Sequence, residues 1–158
     1  IHDIISGLEY LHSNHVVHGN LKGVNVLVNA SQRACLADFG LSTIRDDNAL
    51  PFTQATNNNS AFEVRWTAPE MLKGSGRSKE SDIWTFGSVC YEALTRKAPY
   101  HEYSTDLTIM YRIMERGLPT RPEADPNSDM DQINDKMWAL MERCWNTEAS
   151  GRPQSSDI

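Results

Sequence analysis

Two polar residues, Asn25 and Asp38, bracket what reads as a short β-hairpin, and their types suit them to holding a metal ion. Val26-Leu27-Val28 and Ala34-Cys35-Leu36-Ala37 have the character of two short strands around the polar turn Asn29 to Arg33. Antiparallel pairing returns the chain to the end where it started, so a residue just before the first strand meets one just after the second. An amide oxygen and a carboxylate so placed are hard ligands of the kind that hold Mg²⁺ together with nucleotide phosphates, where the ion keeps some of its waters. Two polar residues at hairpin ends carry no such meaning alone. The surrounding sequence has to decide between a metal site and an ordinary hairpin.

These residues need a scaffold. Ile1, Ile4, Ile5, Leu8 and Leu11 recur at helical spacing and predict an amphipathic helix, followed at Val16-Val17 by a short extended piece. Between Ser81 and Thr95, the residues Ile83, Trp84, Phe86, Val89, Cys90, Ala93 and Leu94 cover most of the circumference, which predicts a helix buried nearly all round. Leu107, Met110, Tyr111 and Met114 predict a later amphipathic helix, and Ile133, Met137, Leu140, Met141 and Cys144 another. Pro69 suits the first turn of a short helical stretch reaching Leu72, which Gly74-Ser75-Gly76 ends. Asp46 to Ser60 holds little apolar material and reads as a mobile loop. Met110, Met114, Met137, Met141, Trp84 and Trp138, at helical spacing, read as core packing. The expected fold is mainly α (α+β), a helical bundle around a buried central helix with a small β-hairpin.

The whole chain sets bounds on function. Its 158 residues suit one domain, and 39% hydrophobic with 23% charged residues is ordinary for a globular protein. Lys and Arg number 15 against 21 Asp and Glu, a formal charge of −6 that argues against a broad nucleic-acid-binding surface. No apolar run approaches the length needed to cross a bilayer, so no membrane role is expected. Cys35, Cys90 and Cys144 are widely spaced among apolar residues and read as reduced, buried thiols of a cytoplasmic or nuclear protein. The chain opens inside a helical pattern and closes where another begins to read, so both ends read as cuts through a larger protein.

The stretch His18-Gly19-Asn20-Leu21-Lys22-Gly23-Val24-Asn25 resembles the protein-kinase catalytic loop, H-R-D-L-K-x-x-N. Asp38-Phe39-Gly40 is similar to the magnesium-binding DFG, and Ala68-Pro69-Glu70 matches the APE that closes the activation segment. Arg65-Trp66 before it, Asp82-Ile83-Trp84-Thr85-Phe86-Gly87, Cys144-Trp145 and Arg152-Pro153 extend the likeness over essentially the whole chain. Six ordered matches are specific where a lone tripeptide is not. The chain thus resembles the C-terminal lobe of a protein kinase of the tyrosine-kinase-like (TKL) group, with Lys22 following the Ser/Thr-directed pattern. The resemblance implies Mg²⁺ and ATP as cofactors of an intact domain, with Asn25 and Asp38 on the metal and Lys22 on the transferring phosphate. It also implies that His18 packs beneath the DFG, that Asp82 accepts backbone N–H bonds from the catalytic loop, and that Glu70 and Arg152 form a buried ion pair.

Several positions depart from the pattern. Asn20 stands where the family places its catalytic Asp; an amide can orient a substrate hydroxyl but cannot act as its base near neutral pH. Gly19 replaces the Arg that pairs with a phosphorylated activation loop, so Thr53, Thr56 or Ser60 would lack that partner. Glu63 stands where relatives often carry Thr, and a carboxylate there would meet Asn20 and Lys22, with an ion pair to Lys22 as one outcome. No G-x-G-x-x-G follows a strand and no V-A-I-K-like lysine occurs, so the small lobe that covers ATP is missing. The expected domain is a kinase C-terminal lobe over 1–158, truncated at both ends, that binds neither Mg²⁺ nor ATP tightly by itself. Three functions compete. One is a pseudokinase that engages a partner such as an active kinase; another is a Ser/Thr kinase acting on a protein substrate; the third is a truncated product without function.

Overall fold

Ser78 starts the longest helix among the described residues. Its hydroxyl accepts the Ser81 N–H at 3.1 Å, while the Ser81 hydroxyl accepts the Ser78 N–H at 2.9 Å, a reciprocal cap that satisfies two otherwise orphaned donors. The helix that follows, α3 (Lys79–Thr95), starts two residues before the span expected from its apolar pattern. It ends at Arg96, whose backbone is left-handed and whose N–H donates to Glu92 O. Ile83, Trp84, Phe86, Val89 and Cys90 are buried as the sequence predicts, and Tyr91 with them, so α3 is the axis of the core; Leu94 is half-buried and Ala93 exposed, so its last turn is not enclosed.

The computed structural model describes residues 1–40, 42–44, 63–123 and 133–158. The expected mobile loop over 46–60, with Thr53, Thr56 and Ser60, lies outside the described residues. Around α3 stand α1 (His2–Ser13), α2 (Pro69–Leu72), α4 (Asp106–Met114) and α5 (Asp135–Cys144). Strand β1 (Val16–Val17) pairs antiparallel with β4 (Thr43–Ile44), and β2 (Val26–Val28) pairs antiparallel with β3 (Ala34–Leu36). The described residues therefore form a mainly helical bundle with a small β-hairpin and no closed sheet, the larger-lobe architecture without a second lobe. No described helix is long and apolar enough to cross a membrane.

Helix α5 lies close against α3 because Gly87 has no side chain. A Cβ there would stand 2.9 Å from Cys144 Cβ and 3.1 Å from the Trp145 indole nitrogen, so a larger residue forces the helices apart. Trp145 packs edge-on to Trp138 at 5.9 Å, and its N–H donates to the Ser88 hydroxyl at 3.2 Å.

Expectations about two more elements, α4 and β3, need correction. Helix α4 buries Ile109 and Ile113, while Leu107 (77% exposed), Tyr111 (65%) and Met114 (42%) face outward. The apolar residues occupy more than one face, and the β-branched pair at i, i+4 is the one that meets the core. Met114 is accordingly not core packing. Cys35 is exposed on β3, whereas Cys90 and Cys144 are buried as expected and burial raises both thiol pKa values, that of Cys144 to about 12.

The expected Glu70–Arg152 pair closes the far side of the bundle. Two parallel bonds of 2.7 Å join the guanidinium to the carboxylate, Arg152 also donates to Asn146 O and Glu80 O, and its side chain is fully inaccessible. Removing the carboxylate strands a buried charge. Glu70→Ala should therefore lower stability by about 3 kcal/mol or more, read as a fall in the denaturant midpoint, and an unchanged midpoint would contradict this role.

Candidate active site

The loop from His18 to Asn25 is suspended between buried anchors. His18 is fully inaccessible and Leu21 nearly so, and between them Gly19 takes a left-handed backbone (φ 72°) that suits glycine. From the first turn of α3, Asp82 accepts the backbone N–H groups of Gly19 at 2.8 Å and His18 at 2.8 Å. Its second oxygen also takes His12 Nε2 at 3.0 Å, and His12 Nδ1 meets the Ser155 hydroxyl at 3.2 Å. The backbone role expected for Asp82 is present, with His12 as an added donor. Arg77 Nε donates to Gly19 O at 2.8 Å, and the Ser42 hydroxyl donates to His18 O at 2.9 Å.

His18 itself acts as a strut. Its Nδ1 accepts the Asn20 N–H at 3.2 Å, so Nε2 carries the hydrogen that bonds Ala37 O at 3.1 Å. The ring stacks at a tilt 5.2 Å from Phe39, beneath the Asp38-Phe39-Gly40 turn. Burial pushes its pKa below the usual 6.5, against the pull of Asp82, the Ala37 carbonyl and Asp38.

Asn20, Asn25 and Asp38 do come together. The Asn20 amide nitrogen donates to Asp38 Oδ2 at 2.8 Å, and the Asn25 amide nitrogen lies 3.4 Å from the same oxygen. Asn25 also donates to Asn20 O at 2.7 Å, and the Ala37 N–H bonds Asn25 O at 2.9 Å. The hairpin thus joins the two ends, but the Asn25 amide turns its nitrogen, not its oxygen, toward Asp38. A carboxylate attracts an N–H and repels a second oxygen. Asp38 is exposed and left-handed (φ 62°), a conformation Asp tolerates better than most residues. Its oxygens, with the Asn25 oxygen after an amide rotation, are the donors that could hold a divalent cation. No group of three or more His, Cys, Asp or Glu with metal-binding spacing exists among the described residues, so such an ion would need waters or phosphate oxygens to complete its shell.

Lys22 Nζ meets Glu63 Oε1 at 2.7 Å, the ion pair foreseen as one outcome of a carboxylate at position 63. Glu92 was not singled out in the sequence. Its Oε2 accepts the Gly23 N–H at 3.2 Å and the Trp66 indole N–H at 3.1 Å, tying the loop to the 3-10 turn Val64–Trp66. A Cβ at Gly23 would fall 2.6 Å from that carboxylate. The available signal was a lone acid in the second half of a helix otherwise apolar all round.

The model of the protein tyrosine and serine/threonine kinase family matches residues 1–158. Over 156 residues the chain is 32% identical to the serine/threonine-protein kinase STY46 of Arabidopsis thaliana, covering 99% of this chain and 25% of that protein. It is 33% identical over 157 residues to the tyrosine-protein kinase abl-1 of Caenorhabditis elegans, covering 98% and 12%. A putative serine/threonine-protein kinase/receptor of Acanthamoeba polyphaga mimivirus, R831, is 30% identical over 154 residues, covering 96% and 8%. The chain spans a quarter or less of the length of these relatives.

The depressed His18 pKa has a consequence for stability. The unfolded chain takes up a proton on this residue near pH 6.5 while the folded one does not, so stability is full above that pH. It falls as pH drops from 6.5 toward the lower folded value. Denaturant midpoints between pH 7.5 and 5 should decline, and His18→Gln should decline less steeply. Equal slopes for the two proteins would contradict a buried neutral His18.

Proposed function

The chain belongs to the protein tyrosine and serine/threonine kinase family, and on that footing we propose that it is the larger lobe of a TKL-group Ser/Thr-type kinase domain that works as a pseudokinase. The observation that carries this reading is the side chain at position 20. An amide N–H, 2.8 Å from Asp38, stands where the chemistry calls for a carboxylate that accepts the hydroxyl proton of the substrate. The loss of a general base costs about 10²- to 10⁴-fold in rate. Gly19 and the Lys22–Glu63 pair point the same way. Such a domain acts by engaging a partner protein, for instance an active kinase that it tunes, in the cytoplasm or nucleus.

The reading places a small lobe before this chain in the intact protein. Leu27 and Val28, adjacent on β2 and so on opposite faces of the hairpin, are 57% and 65% exposed, and Val24 beside them is 72% exposed. Exposed apolar side chains are what a covering lobe would bury on the face it meets. With that lobe in place, Mg²⁺ would be held by Asp38 and Asn25, and the ATP phosphates by Lys22; the metal would neutralise phosphate charge. The residues of this chain bind and orient, and position 20 would only orient the acceptor hydroxyl.

A second reading, a working Ser/Thr kinase, draws on the convergence of Asn20, Asn25 and Asp38 around one oxygen and on the presence of Lys22. Positioning and electrostatics dominate phosphoryl transfer, so an intact phosphate site without its base could retain slow turnover.

Transfer of labelled γ-phosphate separates the two. In the intact protein with its small lobe, the unaltered sequence should transfer at the level of a Lys22→Ala control. Asn20→Asp should raise transfer by about 10²-fold or more, given the Mg²⁺ that two facing carboxylates require. Transfer by the unaltered protein at ordinary kinase rates of about 1 s⁻¹ or above would overturn the pseudokinase reading.

A further inference from the structure

Glu63 and Lys22 are not a chance meeting of two surface side chains. Their ion pair is 2.7 Å long, with Lys22 one-fifth and Glu63 one-half exposed, and both backbones are fixed from below. Lys22 follows the buried Leu21 and precedes Gly23, whose N–H is held by Glu92. Glu63 leads into the 3-10 turn Val64–Trp66, where Val64 is buried and Glu63 O accepts the Trp66 N–H at 3.0 Å and the Thr67 hydroxyl at 3.2 Å. One oxygen of Glu92 holds both sides, through the Gly23 N–H and the Trp66 indole. The clamp that positions the loop therefore also sets Glu63 opposite Lys22. Among the described residues, Glu63 is the only carboxylate within ion-pair distance of that ammonium.

Resting on the reading of this loop as a phosphate site, we propose that Glu63 is a built-in counter-ion, standing on Lys22 where a phosphate would stand, so that a phosphate-bearing ligand reaches Lys22 only by displacing it. Both groups carry the charge needed: the carboxylate neutralises the ammonium as a phosphate oxygen would, and it repels an incoming phosphate. The pair is partly exposed, and such pairs are weak enough to exchange. Glu63 therefore sets the affinity of the site for phosphate without closing it. A neutral side chain at 63 opens the site, and restoring a carboxylate at position 20 leaves this second obstacle in place.

The test is isothermal titration of the intact protein with Mg²⁺ and a non-hydrolysable ATP analogue, adenylyl imidodiphosphate, at fixed ionic strength. Glu63→Gln should tighten the dissociation constant by about three- to tenfold. Glu63→Thr should act in the same direction, and the half-exposed position should leave the thermal midpoint close to that of the unaltered protein. In a Lys22→Ala background, Glu63→Gln should lose most of that gain, because the pair it relieves is already gone. Nucleotide binding that Glu63→Gln leaves unchanged or weakens overturns the counter-ion role while the phosphate site stands. A gain that survives Lys22→Ala overturns it equally. No binding by any variant removes the phosphate-site reading and this inference together.

Discussion

A carboxylate with 2% of its surface exposed must find donors, and Asp82 finds three: the backbone N–H groups of His18 and Gly19, and the His12 ring. The loop from His18 to Asn25 has little regular structure, so these bonds do for it what a ladder does for a strand. They join its first residues to α3, the most deeply buried of the described helices, and through His12 they reach α1 and Ser155. The order of dependence follows. Packing fixes α3, the Ser78–Ser81 cap fixes its first turn, that turn presents Asp82, and Asp82 holds the loop.

Glu92, on the second half of the same helix, repeats the device. It gathers the Gly23 N–H and the Trp66 indole, as Asp82 gathers His18 and Gly19. Between the two carboxylates, both segments that carry polar chemistry are hung from a single rigid element. None of these supports uses the side chain at position 20 or 63. The scaffold of the loop is therefore physically separable from the side chains at positions 20 and 63, and either can change while the loop keeps its shape. That separability is why the loop of this kinase fold keeps its backbone bonds with an amide at position 20.

Much of this was legible beforehand. The burial of α3 followed from apolar residues on every side, and the hairpin from two short apolar runs around a polar turn. The Asp82 and Glu70–Arg152 contacts came from ordered motifs over the whole chain, since no local pattern links residues 18 and 82 or 70 and 152. The misreadings have local causes. Leu107, Tyr111 and Met114 have helical spacing, but so do Ile109 and Ile113, and periodicity does not say which stripe meets the core. Cys35 sits in an apolar strand, yet a two-stranded sheet has an outer face.

By itself, then, the sequence determined the residue types and their order: which helices are amphipathic, which is surrounded, and that an amide and a glycine replace the expected Asp and Arg beside a retained lysine. These are properties of spacing and chemistry, readable without coordinates. Tertiary structure alone decided the contacts that no motif announced. It turned the Asn25 amide nitrogen rather than its oxygen toward Asp38, joined the Asn20 amide to that carboxylate, and used Glu92 to hold Gly23 and Trp66 together. Hydrogen bonds and ion pairs require segments tens of residues apart to be placed to within a few tenths of an ångström, and only the packed core sets that placement.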